Sequence, residues 1–199
     1  MSAIHEHVLQ NGMTLLCWPQ RHLHGLEFGL YLKGGPLYET EETQGISNLL
    51  EHLCFRGLGG LNREGLLREL NRFGTNLDAA TYAEGLVFRL KCLPRFFDAA
   101  LEYFLRFFAN VPWTPEQIAA EKQVVLRQLE ADGDGDLFDR AACDFRRTEN
   151  GAFPPLGTSE SLMALTEADI QLWQEMIFQP QNACLVMTGN FSDGMELAS

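Results

Sequence analysis

Two kinds of apolar periodicity divide the sequence into strands and helices. Alternation with a period of two predicts strands at residues 7–10, 13–18, 26–32, 76–93 and 183–188. Asn11-Gly12 separates the first two runs and is a strong signal for a tight hairpin. Helical spacing of apolar residues, often behind a capping residue, predicts helices at residues 43–56, 62–73, 96–108, 114–130, 137–147 and 166–178.

The order of these elements indicates the fold class. Strands near both ends of a largely helical middle predict an α+β fold with a single mixed or antiparallel sheet and helices packed on one face. Pro154-Pro155-Leu156-Gly157 is expected to form a loop before the last helix. Because no internal repeat or long linker divides the chain, we expect residues 1–199 to form a single domain.

Composition narrows the function classes. The 199 residues are 46% hydrophobic and 21% charged, which is typical of a folded chain with a core. With 27 acidic and 15 basic residues the net charge is -12, so nucleic acid is not an expected partner. No apolar stretch approaches the roughly 20 residues of a membrane span, so no membrane partner is expected. The N-terminus lacks a signal peptide, and five widely spaced cysteines are typical of buried thiols, so we expect a cytoplasmic location.

One predicted helix carries a polar stripe. Asn48, Glu51 and His52 stand at positions i, i+3 and i+4 and therefore share one face, while the leucines between them turn toward the core. A catalytic zinc on a helix needs two imidazoles one turn apart, a distant carboxylate and a carboxylate base, as in H-x-x-E-H. Here the string is N-L-L-E-H. By themselves, Glu51 and His52 also fit an ordinary surface helix.

Six segments in sequence order resemble the pitrilysin/insulinase family of inverzincin zinc metallopeptidases, and together they cover nearly the whole chain. They are KGGPLYE from Lys33, the helix with FRG from Phe55, NLDAAT from Asn76, EKQVVLRQ from Glu121, LGTSESL from Leu156, and QPQN from Gln179 with LVMTG from Leu185. The segment from Leu156 is similar to the family's loop before the last long helix.

The resemblance implies a role for each position of the stripe. The family's first histidine ligand falls on Asn48, its general base on Glu51 and its second histidine ligand on His52. Its supporting glutamate falls on Glu121, and its metal-binding glutamate on Gln128. Neutral amide oxygens are weak zinc donors beside imidazole and carboxylate. We therefore predict that no zinc or other cofactor binds, that Glu51 and Glu121 are vestigial, and that this chain alone does not cleave peptides.

A peptide-binding role needs no zinc. The resemblance implies that a substrate peptide adds to the sheet edge beside the metal helix, a mode that relies on backbone hydrogen bonds. The predicted contact residues are Asn76, Asp78, Ala79 and Thr81. The net charge of -12 favours basic peptides.

The resemblance also implies partners, because family enzymes pair lobes that each contain two domains of about this size. We therefore predict a non-catalytic subunit or module that pairs with an active relative or with the remaining domains of the same assembly. The alternative is an active zinc endopeptidase component whose site is completed by a partner chain or by missing domains. A third hypothesis is that the chain belongs to a longer protein that supplies the function.

Overall fold

A computed structural model describes residues 3–109, 112–131 and 153–191. Its main feature is a six-stranded sheet in the order β1-β2-β8-β3-β7-β6, in which β2 and β8 are parallel and the other neighbours antiparallel. The strands are β1 (His5–Val8), β2 (Thr14–Pro19), β3 (Leu26–Lys33), β6 (Leu77–Tyr82), β7 (Gly85–Cys92) and β8 (Ala183–Gly189). A short two-stranded ribbon, β4 (Gly57–Leu58) and β5 (Leu61–Asn62), was not predicted.

Helices cover one face of the sheet. They are α1 (Ile46–Cys54), α2 (Arg63–Phe73), α3 (Phe97–Leu105), α4 (Pro115–Ala131), α5 (Ser159–Ala164) and α6 (Glu167–Ile177). Side chains of β3 alternate between the two faces, since Phe28, Leu30 and Leu32 are buried while Tyr31 is exposed. The predicted α+β class, with one main mixed sheet and helices on one face, is confirmed.

Most predicted elements are confirmed, including the hairpin at Asn11-Gly12 and the helix caps. Asn62 accepts a hydrogen bond from the Gly65 N–H at the start of α2, and Gly74 ends that helix in the left-handed region. The helix expected at 137–147 lies outside the described residues. Within the described ranges, no helix is long and apolar enough to cross a membrane.

Two predictions were wrong. Residues 76–93 form not one strand but the hairpin of β6 and β7, which turns at Ala83 and Glu84 between the paired residues Tyr82 and Gly85. The segment from Leu156 is not all loop, because α5 begins at Ser159. Thr158 and Ser161 form a capping box there, a signal present in the sequence.

Candidate functional site

The N-terminus of α1 is held by a buried carboxylate from outside the helix. The two oxygens of Glu39 accept hydrogen bonds from the N–H groups of Gly45, at 2.8 Å, and Ser47, at 3.0 Å. Burial raises the pKa of Glu39, and these hydrogen bonds offset part of the rise. Gly45 itself has a φ of 84° and cannot cap with a side chain. Glu39 therefore satisfies donors that would otherwise be unpaired at the helix start.

On the side of α1 that faces α4, His52 lies beside Glu121. The His52 Nδ1 atom is 3.4 Å from Glu121 Oε2, and the other oxygen of Glu121 accepts a hydrogen bond from Arg56 Nε. Burial acts to raise the pKa of Glu121, but the hydrogen bonds and charges of His52 and Arg56 together hold it below its usual value. The contact fixes the orientation of the His52 ring and leaves its Nε2 atom directed away from Glu121.

On the side of α1 that faces β6, Glu51 has a different environment. Its side chain is buried, and its Oε2 atom accepts a hydrogen bond of 2.5 Å from the Thr81 hydroxyl. Burial raises the pKa of the Glu51 carboxyl, while Thr81 and the charge of His52 offset part of the rise. Glu51 thus lies within reach of the imidazole but is bonded to a neutral hydroxyl of the sheet.

The two amides at the predicted ligand positions lie on different helices, Asn48 on α1 and Gln128 on α4. The Oδ1 atom of Asn48 is buried and has no hydrogen-bond partner among the described residues. Gln128 is exposed on α4, seven residues after Glu121 and beyond the buried Val125. Glu130, the nearest later carboxylate on α4, is also exposed.

The donor set does not fit a catalytic zinc. At the three positions predicted from the resemblance to be ligands, His52 is the single imidazole, and Asn48 and Gln128 are neutral amides. Across residues 3–109, 112–131 and 153–191, no group of three His, Cys, Asp or Glu side chains is arranged to hold a metal ion. Glu121 is already paired with Arg56, so its charge is compensated without a metal.

The predicted peptide-contact residues lie on and beside β6. Asn76 is exposed just before the strand, and Asp78 is exposed with its Oδ2 atom 4.0 Å from Arg89 Nη1. Ala79 and Thr81 are half-buried on the face that α1 covers, where Thr81 bonds Glu51. In the described part of the chain, β6 pairs with β7 alone and therefore forms one edge of the sheet.

Sequence reasoning assigned no role to Arg56 or Glu39. Arg56 follows His52 by four residues, a spacing that places both on the side of the helix that meets Glu121. Glu39 lies in the segment that resembles the family's upstream motif, yet its contact with α1 depends on the backbone path between them. The sequence contained a signal for Arg56 and none for the capping by Glu39.

The comparisons with known proteins agree with this fold and helix. The profile of the insulinase family, peptidase family M16, matches residues 24–147. An uncharacterized zinc protease of Rickettsia felis is 26% identical over 185 residues, which make up 92% of this chain and 45% of that protein. The mitochondrial-processing peptidase subunit beta of Caenorhabditis elegans is 26% identical over 146 residues, 72% of this chain and 32% of that one.

A solved structure supports the architecture. The inactive domain of a peptidase M16 from Pseudomonas fluorescens superimposes with a TM-score of 0.84 at 16% identity, covering 96% of this chain and 47% of that one. The fold is thus that of a metallopeptidase domain. More particularly, the chain belongs to the insulinase family, peptidase family M16. It spans less than half the length of these relatives, and the family includes subunits of larger assemblies.

Proposed function

We propose that this chain is a non-catalytic member of its family that binds peptides by strand addition and pairs with an active relative or with the remaining domains of one assembly. The observation that carries the proposal is the amide of Asn48, which stands one turn from His52 and whose buried Oδ1 atom has no hydrogen-bond partner in residues 3–109, 112–131 and 153–191. Where the family places an imidazole, an amide oxygen donates too weakly to hold zinc beside a single histidine.

The surroundings of Glu51 support the absence of peptide cleavage. A general base needs a water or substrate proton within hydrogen-bond reach and a partner that acidifies it. Glu51 instead bonds the Thr81 hydroxyl, and the residues that would bind an acidifying metal are Asn48, His52 and Gln128. Glu51 and Glu121 therefore act as structural carboxylates in this proposal.

The edge position of β6 supports peptide binding. An edge strand presents unpaired backbone groups to an added strand, and this mode requires no metal. Asn76, Asp78, Ala79 and Thr81 would contact the peptide along this edge, with Asp78 exposed to meet a basic side chain. The chain's charge of -12 favours the approach of basic peptides.

The proposal includes an assembly. Relatives of more than twice this length contain material that could supply further domains, and one of them is a peptidase subunit. We propose that residues 1–199 contribute one domain. We also propose a cytoplasmic location, which the unpaired thiols of Cys17, Cys54, Cys92 and Cys184 favour. The alternative, an active zinc endopeptidase component completed by a partner chain, would place further metal ligands in trans beside His52.

Metal analysis tests the inactive site. We expect purified protein to contain far less than one zinc per chain, whereas the double variant Asn48→His, Gln128→Glu gains zinc at close to one per chain. A matched control carries Asn48→His with Gln123→Glu, which adds the same charge at another exposed position of α4. Stoichiometric zinc in the unmodified protein would refute the proposal and favour the alternative. Equal zinc in both double variants would refute the assignment of Gln128.

Hydrogen exchange tests strand addition, because the sheet offers its own control edge. On addition of a short basic peptide, we expect slower exchange of amides in β6 and no change in β1, the opposite edge. An acidic peptide of equal length should have a weaker effect. Protection of both edges, or of neither, would contradict the proposed binding mode.

A further inference from the structure

One cavity in the described part of the chain lies apart from the α1 stripe. It has a volume of about 600 Å³ and lies where β3 begins, β7 ends and α2 reaches its C-terminus. Cavities of this size hold small organic ligands in many proteins. None of its lining residues belongs to the stripe or to the predicted peptide-contact set.

The charge of this cavity is opposite to that of the chain. Its lining includes the basic side chains of Arg72, Lys91 and Arg95 but a single carboxylate, Glu27. The chain as a whole carries a net charge of -12. A concave surface with an excess of one sign of charge concentrates ligands of the other sign. The cavity therefore favours an anion, although the net charge of the chain is negative.

The three basic groups differ in how freely they can meet a ligand. Arg72 bonds Glu69 on the exposed face of α2, and Lys91 Nζ is 3.7 Å from Glu27 Oε2. The Arg95 guanidinium lies 4.8 Å from the centroid of the Phe96 ring, and none of the described carboxylates pairs with it. A stacked guanidinium keeps its N–H groups available for a carboxylate or phosphate. Arg95 is thus the group best placed to bind the anionic head.

The walls between these charges are apolar. Leu26, Phe73 and Cys92 are buried at the base, and Leu23 and Leu93 are exposed at the rim. Burial raises the pKa of the Cys92 thiol to about 11, so it adds no negative charge at neutral pH. Such walls bind an aliphatic or aromatic body rather than a bare ion.

The C-terminus of α2 opposes an anion, but weakly. A helix C-terminus carries about half a negative charge. Here the N–H of Gly74 bonds the carbonyl of Asn71, and the N–H of Thr75 bonds that of Leu70, so two of the terminal carbonyls are already paired. The three positive charges at the cavity exceed the two carboxylates that pair with them, Glu27 and Glu69, by one full charge, which outweighs this partial charge.

We propose that this cavity is a second binding site, and that its ligand is an amphipathic organic anion with a carboxylate or phosphate on an aromatic or aliphatic body. Arg95 binds the anionic group, and the apolar walls pack against the body. This site is independent of the proposed peptide binding at β6, so either proposal can fail without the other.

A titration followed by backbone amide NMR tests the site with four probes at low salt and about pH 6, where 4-nitrophenol is largely neutral: 4-nitrophenyl phosphate, 4-nitrobenzoate, inorganic phosphate and 4-nitrophenol. We expect at least one of the two aromatic anions to produce saturable shifts at residues 23–27, 71–75 and 91–96. The aromatic anion that binds more tightly identifies the head group. Inorganic phosphate and 4-nitrophenol should bind at least tenfold more weakly, because each lacks one half of the ligand.

A pair of arginine variants provides the control. Arg95→Gln should weaken the binding of the aromatic anion about tenfold, the usual effect of losing one charge-assisted hydrogen bond. Arg68→Gln removes the same charge from an exposed position on α2 outside the cavity and should change binding less than twofold. Equal weakening by both variants, equal binding of inorganic phosphate, or saturable shifts elsewhere would overturn the proposal.

Discussion

The two sides of α1 place carboxylates in opposite environments. Toward α4, Glu121 is paired with Arg56 and His52, and its pKa is lowered. Toward β6, Glu51 meets the neutral hydroxyl of Thr81, and its pKa is raised. Ionisation of Glu121 therefore stabilises the folded chain, whereas ionisation of Glu51 destabilises it. The comparison shows that two carboxylates of the residue types found in a catalytic site, Glu51 and Glu121, can have opposite effects on the stability of the fold.

The largest expected effect is on the α4 side. Glu121→Gln should lower the free energy of unfolding at pH 7 by about 2 kcal/mol, because it leaves the half-buried Arg56 without its anion. A carboxyl whose pKa is lowered by folding stabilises above its unfolded pKa and loses that effect as the pH falls through its folded pKa. The difference in the free energy of unfolding between this variant and the wild type, measured by urea unfolding, should therefore be smaller at low pH than at pH 7. Glu64→Gln, which breaks an exposed pair with Arg68, should cost less than about 0.5 kcal/mol.

A somewhat smaller loss is expected from Thr81→Val. The variant removes the hydrogen bond from the Thr81 hydroxyl to the buried Glu51 carboxylate and should lower the free energy of unfolding by about 1.5 kcal/mol at pH 7. It should also raise the pKa of Glu51 further, which carboxyl-carbon NMR can measure. In a Glu51→Gln background the cost should fall by half or more. An equal cost in both backgrounds would show that Thr81 acts without Glu51.

Glu51→Gln should have the opposite sign from Glu121→Gln. Because folding raises the pKa of Glu51, the folded chain loses stability relative to the unfolded one as the pH rises from about 4.5 through the folded pKa. The amide carries no charge to desolvate, so the variant should gain about 1 kcal/mol at pH 7 in urea unfolding and no gain at low pH. A loss of stability at pH 7 would contradict the contrast between the two carboxylates.

The smallest effect is expected at Asn48. Asn48→Ala removes a buried oxygen that has no hydrogen-bond partner in the described part of the chain and also improves helix propensity, so stability should rise by about 0.5–1 kcal/mol. The control Asn71→Ala, at an exposed position of α2, improves helix propensity without removing a buried oxygen. The gain at position 48 should exceed that at position 71 in thermal unfolding. A net loss at position 48 would mean that the amide has a stabilising partner.

Local patterns predicted the helix and its stripe well. The leucine spacing identified α1, and Asn62 and Gly74 identified the ends of α2, because caps and periodicity act over a few residues. The carboxylate environments were not predictable in this way. Glu121 is 65 residues from Arg56 and Thr81 is 30 residues from Glu51. Such pairs depend on how helices and strands pack, which no local pattern encodes.

The hairpin of β6 and β7 shows the same limit at the level of the sheet. Apolar and polar residues alternate in both strands, and this spacing continues across the turn at Ala83 and Glu84. The pattern therefore predicted a single strand-like stretch at residues 76–93. The division matters for the proposed peptide binding because it turns the first half of this segment into an edge strand. The family resemblance predicted that edge, whereas periodicity alone did not.

The position of β8 has a consequence for how the chain acquires its structure. This strand lies between β2 and β3, although about 150 residues separate it from either in sequence. When only β1, β2 and β3 have left the ribosome, the edges of β2 and β3 that pair with β8 are therefore exposed. They cannot pair correctly until Gly189 has emerged. Such distant pairing gives a high contact order and slow folding. Completion of the sheet should thus be a late step of folding, before which nascent chains are prone to mispair.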